Sequence, residues 1–299
     1  MKEGQGQFNG ILPIYKEKGY TSNDVVAKLR GILKMKKIGH TGTLDPEAEG
    51  VLPVCLGRGT KLIPLMTDTD KSYRCVCRLG LTTDTEDMTG RILSEGDFSG
   101  ISEEDVKGVL EGFIGRYDQI PPMYSAKKVK GKKLYELARE GIVIERKPCL
   151  VYIRSIRLLG TDLEKGRISF ETDCSKGTYI RSLCRDIGDR LKCGAAMESL
   201  LRTVAGGFDE KECITLSRVE ELYKNGRIDE YITGIEAFFS SLDRIDLKRP
   251  EEDRAVINGN ILKTDVSDGR YRVYLSDGRF AAVYEVKKRR ASLCGYFLT

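Results

Sequence analysis

Apolar residues fall along this chain with two rhythms, and the rhythm sets the element expected in each stretch. Phe8 to Tyr15 (FNGILPIY) is apolar enough for a buried strand. Thr21-Ser22-Asn23-Asp24 then offers N-cap chemistry, and Val25, Val26, Leu29, Ile32 and Leu33 recur at helical spacing, which predicts a helix with one face on the core. Val51 to Leu56 reads as a buried strand and Lys61 to Met66 as a short helix. Lys71 to Leu79 (KSYRCVCRL) alternates, placing Tyr73, Cys75 and Cys77 on one face of a strand and Arg74, Val76 and Arg78 on the other. An acidic, turn-rich passage follows from Thr82 to Gly90, and Ser102-Glu103-Glu104-Asp105 caps a helix whose apolar positions are Val106, Val109, Leu110 and Phe113.

Pro121-Pro122 can be neither central strand nor helix interior, and Lys132 to Glu140 reads as a short helix ended by Gly141, so residues 121–148 are expected to project from the core as an insertion. Cys149 to Leu159 and Arg167 to Cys174 are consecutive strands. Gly177-Thr178 starts a helix through Leu191, with Tyr179 and Ile180 in its first turn and Leu183, Ile187 and Leu191 as the buried stripe. Glu198 to Phe208 is a mixed strand or loop, and Thr215 to Tyr223 a capped helix. From about Arg244 the texture changes to short alternating strands, with Ser276-Asp277-Gly278 as a hairpin turn and the basic tetrad Lys287 to Arg290 near the end. The expected architecture is therefore a mixed α/β (α+β) body over residues 1–243 and a small β domain over 244–299.

Composition narrows the function classes. Nine cysteines lie scattered with no CxxC pair, as reduced and mostly buried thiols do, and the single histidine excludes His-rich metal sites. No apolar run approaches membrane-spanning length and the N-terminus lacks a signal-peptide core, so a soluble, cytoplasmic protein is expected, with no membrane partner. The net charge of +5 is modest but localised. Between Pro121 and Pro148 eight Lys or Arg, including Lys127, Lys128 and Lys130, face three Glu. A positive cluster interleaved with Tyr124 and Tyr135 is the footprint expected of a nucleic-acid surface.

One stretch concentrates candidate chemistry. Ile38 to Lys61 (IGHTGTLDPEAEGVLPVCLGRGTK) holds His40, the only histidine, and Asp45 between Leu44 and Pro46. Gly39, Gly42 and Gly50 permit tight turns, Pro46 biases Asp45 towards an extended backbone, and the strand from Val51 anchors the loop. A carboxylate presented this way is suited to catalysis, but Asp-Pro pairs also make ordinary turns, and the local pattern leaves both readings open. A Ser-His-Asp triad would have to use His40, and no nucleophile-elbow motif accompanies it.

Five blocks in order carry a resemblance: GILPIYKEKGYTSN (Gly10 to Asn23), GHTGTLDPEAEGVLPVCLGRGTK (Gly39 to Lys61), KSYRCVCRLG (Lys71 to Gly80), PPMYSAKKVKGKKLYELAREG (Pro121 to Gly141) and CSKGTYIRSLCRDIG (Cys174 to Gly188). SLLRTVAGGF (Ser199 to Phe208) is a weaker sixth. Together they resemble the bacterial TruB family, the tRNA pseudouridine synthases that act on the uridine at conventional tRNA position 55. The chain departs from that pattern at Lys16-Glu17, where the family usually has Lys-Pro, and at Leu201-Arg202, where it usually has two arginines.

The resemblance implies a pseudouridine synthase core with a mixed, largely antiparallel sheet, an inserted RNA-gripping thumb at about 121–148 and a C-terminal PUA-like RNA-binding domain. It implies an isomerase that detaches uracil from ribose C1′, rotates it and rejoins it through C5, with no cofactor and no metal. It also implies the site residues. Asp45 matches the essential aspartate, Arg181 its pairing partner, and Tyr73 the tyrosine that stacks on the target base. Tyr179 and Leu200 match pocket residues, and His40 the residue that contacts the flipped nucleotide. Lys16, Lys127, Lys128 and Lys130 are the further RNA-binding candidates. The expected partner is the T-arm stem-loop of tRNA, bound by a monomer without guide RNA. The rivals are an RNA-binding protein or tRNA folding chaperone without catalysis, and a glycosidase pairing Asp45 with Glu47 or Glu49, for which the chain lacks any Trp platform.

Overall fold

The computed structural model describes residues 8–125, 127–129, 131–142 and 144–298. Its first half runs β1 (Gly10–Lys16), α1 (Ser22–Leu33), β2 (Ile38–His40), β3 (Glu49–Leu56), α2 (Ile63–Thr67), β4 (Lys71–Leu79), a hairpin of β5 (Leu81–Thr83) and β6 (Ile92–Glu95), α3 (Glu103–Glu111) and β7 (Gly115–Gln119). The thumb segment contributes β8 (Lys128–Val129), β9 (Lys132–Lys133) and α4 (Leu134–Arg139). Then come β10 (Cys149–Asp162), β11 (Arg167–Cys174), α5 (Ile180–Arg190), β12 (Ala195–Ala205), β13 (Phe208–Asp209), α6 (Leu216–Lys224) and α7 (Ile235–Phe238). The C-terminal part is β14 (Asp243–Asp246), α8 (Pro250–Ile257), β15 (Leu262–Lys263), β16 (Gly269–Tyr274), β17 (Phe280–Lys287) and β18 (Arg290–Tyr296).

The main sheet has the order β1-β3-β12-β4-β11-β10-β7, with β2 beside β3 and β13 beside β12. Every pairing in it is antiparallel except β3 with β12. Sequence periodicity explains the faces. In β4 the set Tyr73, Cys75, Cys77 and Leu79 is buried and packs against Leu183, Cys184 and Ile187 of α5. The uninterrupted apolar run of β3 is covered on both faces, Leu52, Val54 and Leu56 by α1 and α6, and Val51 and Cys55 by Leu62, Met66 and Phe208.

Both long N-terminal helices are fixed by reciprocal caps. Thr21 accepts from the Asp24 amide at 3.0 Å while Asp24 accepts from the Thr21 amide at 2.8 Å, and Ser102 with Asp105 repeats the device ahead of α3. Helix α5 lies so close to β12 that a Cβ on Gly188 would collide with the backbone at Gly194 and Ala195, so glycine sets the seat of this helix.

One detail differs from the periodicity. The α5 helix starts at Ile180, two residues beyond Thr178, with Tyr179 as its extended N-cap, because Gln119 takes both backbone groups of Tyr179: its side chain accepts from the amide at 2.8 Å and donates to the carbonyl at 2.9 Å. Leu191 is the C-cap, half-buried, and still packs against the cluster that holds Leu183 and Ile187, so the stripe runs on to the end of the helix. Glu198 to Phe208, ambiguous in sequence, takes in most of the long strand β12 and the start of its short return β13.

A second sheet, ordered β14-β16-β17-β18-β15, closes on its own core of Leu247, Val256, Tyr271, Val273 and Tyr284. It meets the main body through Phe239, Val283 and Phe297 packed with Ile11, Val51 and Met66, and Lys61 Nζ donates to the Tyr296 carbonyl at 2.9 Å. Among the described residues no helix is long and apolar enough to cross a membrane.

Candidate active site

Asp45 sits in the loop between β2 and β3, and buried polar side chains from distant elements grip that loop on both sides. Ser22 Oγ accepts from the Leu44 amide at 2.9 Å and donates to the Leu44 carbonyl at 3.3 Å. The Lys16 ammonium donates to the carbonyls of Pro46 at 3.0 Å and Ala48 at 2.5 Å. From β12, the Arg202 guanidinium donates to the carbonyls of Val51 at 2.8 Å, Gly42 at 3.2 Å and Thr43 at 3.4 Å. Gly50 permits this contact: at φ +104° it sits so close to Arg202 that any Cβ would strike the Arg202 carbonyl. With Leu44 and Ala48 buried, the loop is a rigid arch that leaves the Asp45 side chain 39% exposed.

The partner of Asp45 comes from α5. Arg181 is buried and places Nε 3.0 Å from Asp45 Oδ2. Its other nitrogens donate to the Thr85 carbonyl at 3.1 Å and the Tyr124 carbonyl at 2.8 Å, and Asp87 Oδ2 lies 3.7 Å from Nη1. One planar cation therefore joins the Asp45 loop, the turn at 85–87 and the root of the thumb. Tyr73 is buried beneath, with Leu44, Ala48 and Leu200 in the same apolar cluster. Burial pushes the Tyr73 hydroxyl above the ordinary phenol value while Arg202 beside it pulls the other way, so at neutral pH it keeps its proton. Tyr179, two residues before Arg181, is half-buried. Burial, and after it the Arg202 charge, hold His40 below the usual imidazole value, and its Nδ1 accepts from the Gly42 amide at 3.3 Å. His40 is thus neutral at pH 7 and suited to stacking and hydrogen bonding rather than to pairing with phosphate.

The structure brings Asp45 and Arg181 into direct contact and gathers Tyr73 and Leu200 beneath them, although these residues are far apart in sequence. Lys16 is placed differently from the RNA-binding expectation. Its ammonium is fully buried under the arch on three carbonyls, where it supports Asp45 from behind and cannot reach RNA. Lys127 contacts Cys149 at the thumb's descending root. Lys130 and the side chain of Lys128 lie outside the described residues.

Three residues that hold the site escaped the sequence reading: Ser22, Asp87 and Arg202. Arg202 carried a signal, since it shares strand parity with the buried Leu200, and a charge on the buried parity must be holding something.

Lys16 yields a stability prediction. Lys16→Met removes the donor for the Pro46 carbonyl and the buried Ala48 carbonyl, with an expected loss of about 2–4 kcal/mol and a melting temperature lower by about 5–10 °C. Burial pulls the Lys16 ammonium down to about 8. The unfolded lysine stays protonated to ~10.4, so between these values the unfolded state binds more protons and the lysine's contribution rises with pH. The gap between wild type and Lys16→Met should therefore widen from pH 8 towards pH 10 in thermal melts, and a gap that narrows would contradict the burial of this ammonium.

Residues 30–180 match the TruB family pseudouridylate synthase N-terminal domain, and residues 181–244 the tRNA pseudouridylate synthase B C-terminal domain. The chain is 50% identical over 299 residues to tRNA pseudouridine synthase B of Lachnoclostridium phytofermentans, covering 95% of this chain and 97% of that one. It is 43% identical over 287 residues to the protein of the same name in Bacillus pumilus, covering 93% of each. Among solved structures, a chain in a crystal structure of a Cbf5-Nop10-Gar1 complex superposes with a TM-score of 0.72 at 24% identity, over 97% of this chain and 85% of that chain, a likeness of fold.

Proposed function

The chain belongs to the TruB family of pseudouridylate synthases and isomerises uridine to pseudouridine in tRNA, and from that premise we propose that its target is the T-loop uridine at conventional position 55, with Asp45 as the reacting carboxylate. The observation that carries this reading is the Asp45–Arg181 ion pair at 3.0 Å, held over an apolar floor by a loop whose backbone is fixed from both sides. Cleaving a glycosidic bond leaves an electron-poor sugar and a detached base. A carboxylate is the group suited to assist at C1′ or C6, or to take the C2′ proton, and Arg181 at 3.0 Å fixes where that carboxylate points. Leu44, Tyr73 and Leu200 keep the detached uracil in dry surroundings until C5 replaces N1 at the sugar.

Reaching the base requires flipping it out of the folded loop, at a cost of a few kcal/mol. Neutral His40 occupies the vacated space, Tyr73 stacks on the flipped uracil and Tyr179 completes its pocket. The thumb, with Lys127, Lys128 and Lys130, holds the phosphates, and residues 244–299 act as a PUA-like RNA-binding module. The enzyme works as a cytoplasmic monomer without guide RNA.

The test is tritium release from a T-arm stem-loop carrying tritium at uridine C5, incubated with the purified protein alone. Formation of the new C–C bond expels that hydrogen, so release is expected without guide RNA or metal. Tight binding without release would favour the chaperone reading. The thumb lysines give a separate result. Neutralising Lys127, Lys128 and Lys130 together should flatten the salt dependence of tRNA binding, lowering the slope of log K on log salt by about 2–3. An unchanged slope would remove these lysines from the phosphate contacts.

A further inference from the structure

One cluster of buried charge has no place in the chemistry above. Glu86 lies in the turn between β5 and β6, with a side chain only 9% exposed and a backbone at φ +63°, a left-handed conformation that side-chain-bearing residues rarely adopt. The turn is pinned to β12: the Met197 amide donates to the Glu86 carbonyl and the Met88 amide to the Met197 carbonyl, each at 3.0 Å. Its two sequence neighbours are the groups that face Arg181, the Thr85 carbonyl at 3.1 Å and the Asp87 carboxylate at 3.7 Å. Displacing Glu86 would therefore displace the frame around Arg181.

The Glu86 carboxylate points away from that frame, into a second set of contacts. On α5, Ser182 Oγ donates to it at 2.6 Å and Arg185 pairs with it, one residue and one helical turn beyond Arg181. From the thumb's descending root, Arg146 Nη1 lies 3.8 Å away. Both arginines also hold the ascending root, since Arg146 donates to the Pro121 carbonyl at 3.0 Å and Arg185 to the Ile120 carbonyl at 3.2 Å. One carboxylate thus balances two guanidinium groups that clamp both roots of the thumb to the helix carrying Arg181. Arg185 has a second anion in Asp186. Arg146 has no other carboxylate among the described residues.

We propose that Glu86 is a positioning residue that locks both thumb roots to helix α5, so that RNA gripped by the thumb and the geometry of the Asp45–Arg181 pair are set together. The strained backbone fits this role, because the turn must aim Thr85 and Asp87 at Arg181 and the intervening side chain at the thumb roots. This inference rests on the reading of Asp45 and Arg181 as the reacting pair.

The experiment compares wild type, Glu86→Gln, Glu86→Asp and Arg146→Gln as full chains. Three readouts are taken: single-turnover tritium release at saturating tRNA, tRNA affinity, and the rate of tryptic cleavage at the thumb lysines between 127 and 133. For Glu86→Gln we expect release slowed about tenfold or more while affinity changes less than about threefold, because misplacement of reacting groups costs rate before it costs binding. Cleavage within the thumb should quicken severalfold with the rest of the chain resistant, since loosened roots raise local opening. Glu86→Asp keeps the charge and should recover most of the rate, and Arg146→Gln should shift both readouts in the same direction by less.

Unchanged release and unchanged thumb cleavage in Glu86→Gln would overturn the proposal, as would losses that follow a general fall in melting temperature with cleavage throughout the chain. Should Glu86→Gln not fold, Arg146→Gln decides on the same criteria. If wild type itself releases no tritium, the reading of the reaction fails, and the tryptic comparison still decides whether Glu86 clamps the thumb.

Discussion

Asp45→Asn is expected to abolish tritium release, a fall of about 10³-fold or more in the single-turnover rate, while the protein folds and binds tRNA as before. Asparagine keeps the volume and one carbonyl oxygen but is neither a nucleophile nor a base, so all three candidate roles of the carboxylate are lost at once. The arch around it does not depend on the side chain. Leu44 is held by Ser22, the loop carbonyls by Lys16 and Arg202, and Arg181 keeps the Thr85 and Tyr124 carbonyls. The Asp45 side chain is more than a third exposed, and the buried Arg181 keeps the Asp87 carboxylate at 3.7 Å and two carbonyls, so the melting temperature should move by only a few degrees. Removing a negative charge from an exposed position should not weaken binding of a polyanion. Full activity in Asp45→Asn would transfer the chemistry to another group, and loss of tRNA binding would show that the residue shapes the arch after all.

The arch itself shows what sequence could and could not convey. Period-two alternation in Lys71 to Leu79 placed Tyr73 on the buried face, and the Thr21–Asp24 and Ser102–Asp105 patterns marked two helix starts, because those signals are local. The order of the sheet is not local. Strand β12 lies between β3 and β4, parallel to the first and antiparallel to the second, and this places Arg202 opposite both Gly50 and Tyr73. Nothing in the SLLRTVAGGF stretch encodes that neighbourhood.

Lys16 misled for a related reason. A lysine ending an apolar strand looks like a surface residue, yet it follows the buried Leu12 and Ile14 at the same parity and is itself fully buried. Lys16 and Arg202 are the same device from two sides: a buried cation satisfied by backbone carbonyls rather than by a carboxylate. Their charge stays close to Asp45 without neutralising it, and Asp45 remains free for Arg181. The left-handed backbone at Glu86 was equally hidden, since glutamate gives no conformational hint of a turn.

Arg181→Lys should cost about 10²–10³-fold in the single-turnover rate although it conserves the charge. The guanidinium spends its nitrogens in three directions: Nε towards Asp45, Nη1 on the Thr85 carbonyl and Nη2 on the Tyr124 carbonyl. A lysine ammonium is a single point on a flexible stem and cannot occupy these positions together. If it stays with Asp45, the carbonyls of Thr85 and Tyr124 lose their charged donor. If it moves to the carbonyls, Asp45 loses the partner that orients it.

Losing one such donor costs about 1–3 kcal/mol, so a melting temperature lower by roughly 3–8 °C should accompany the loss of rate. Binding of tRNA should change only a few-fold, because Arg181 is buried and the thumb lysines proposed to hold phosphate are unchanged. A lysine variant that kept the wild-type rate would reduce Arg181 to a counter-charge. A lysine variant slowed as expected, with methionine slower still, would separate the contribution of charge from that of its three fixed directions.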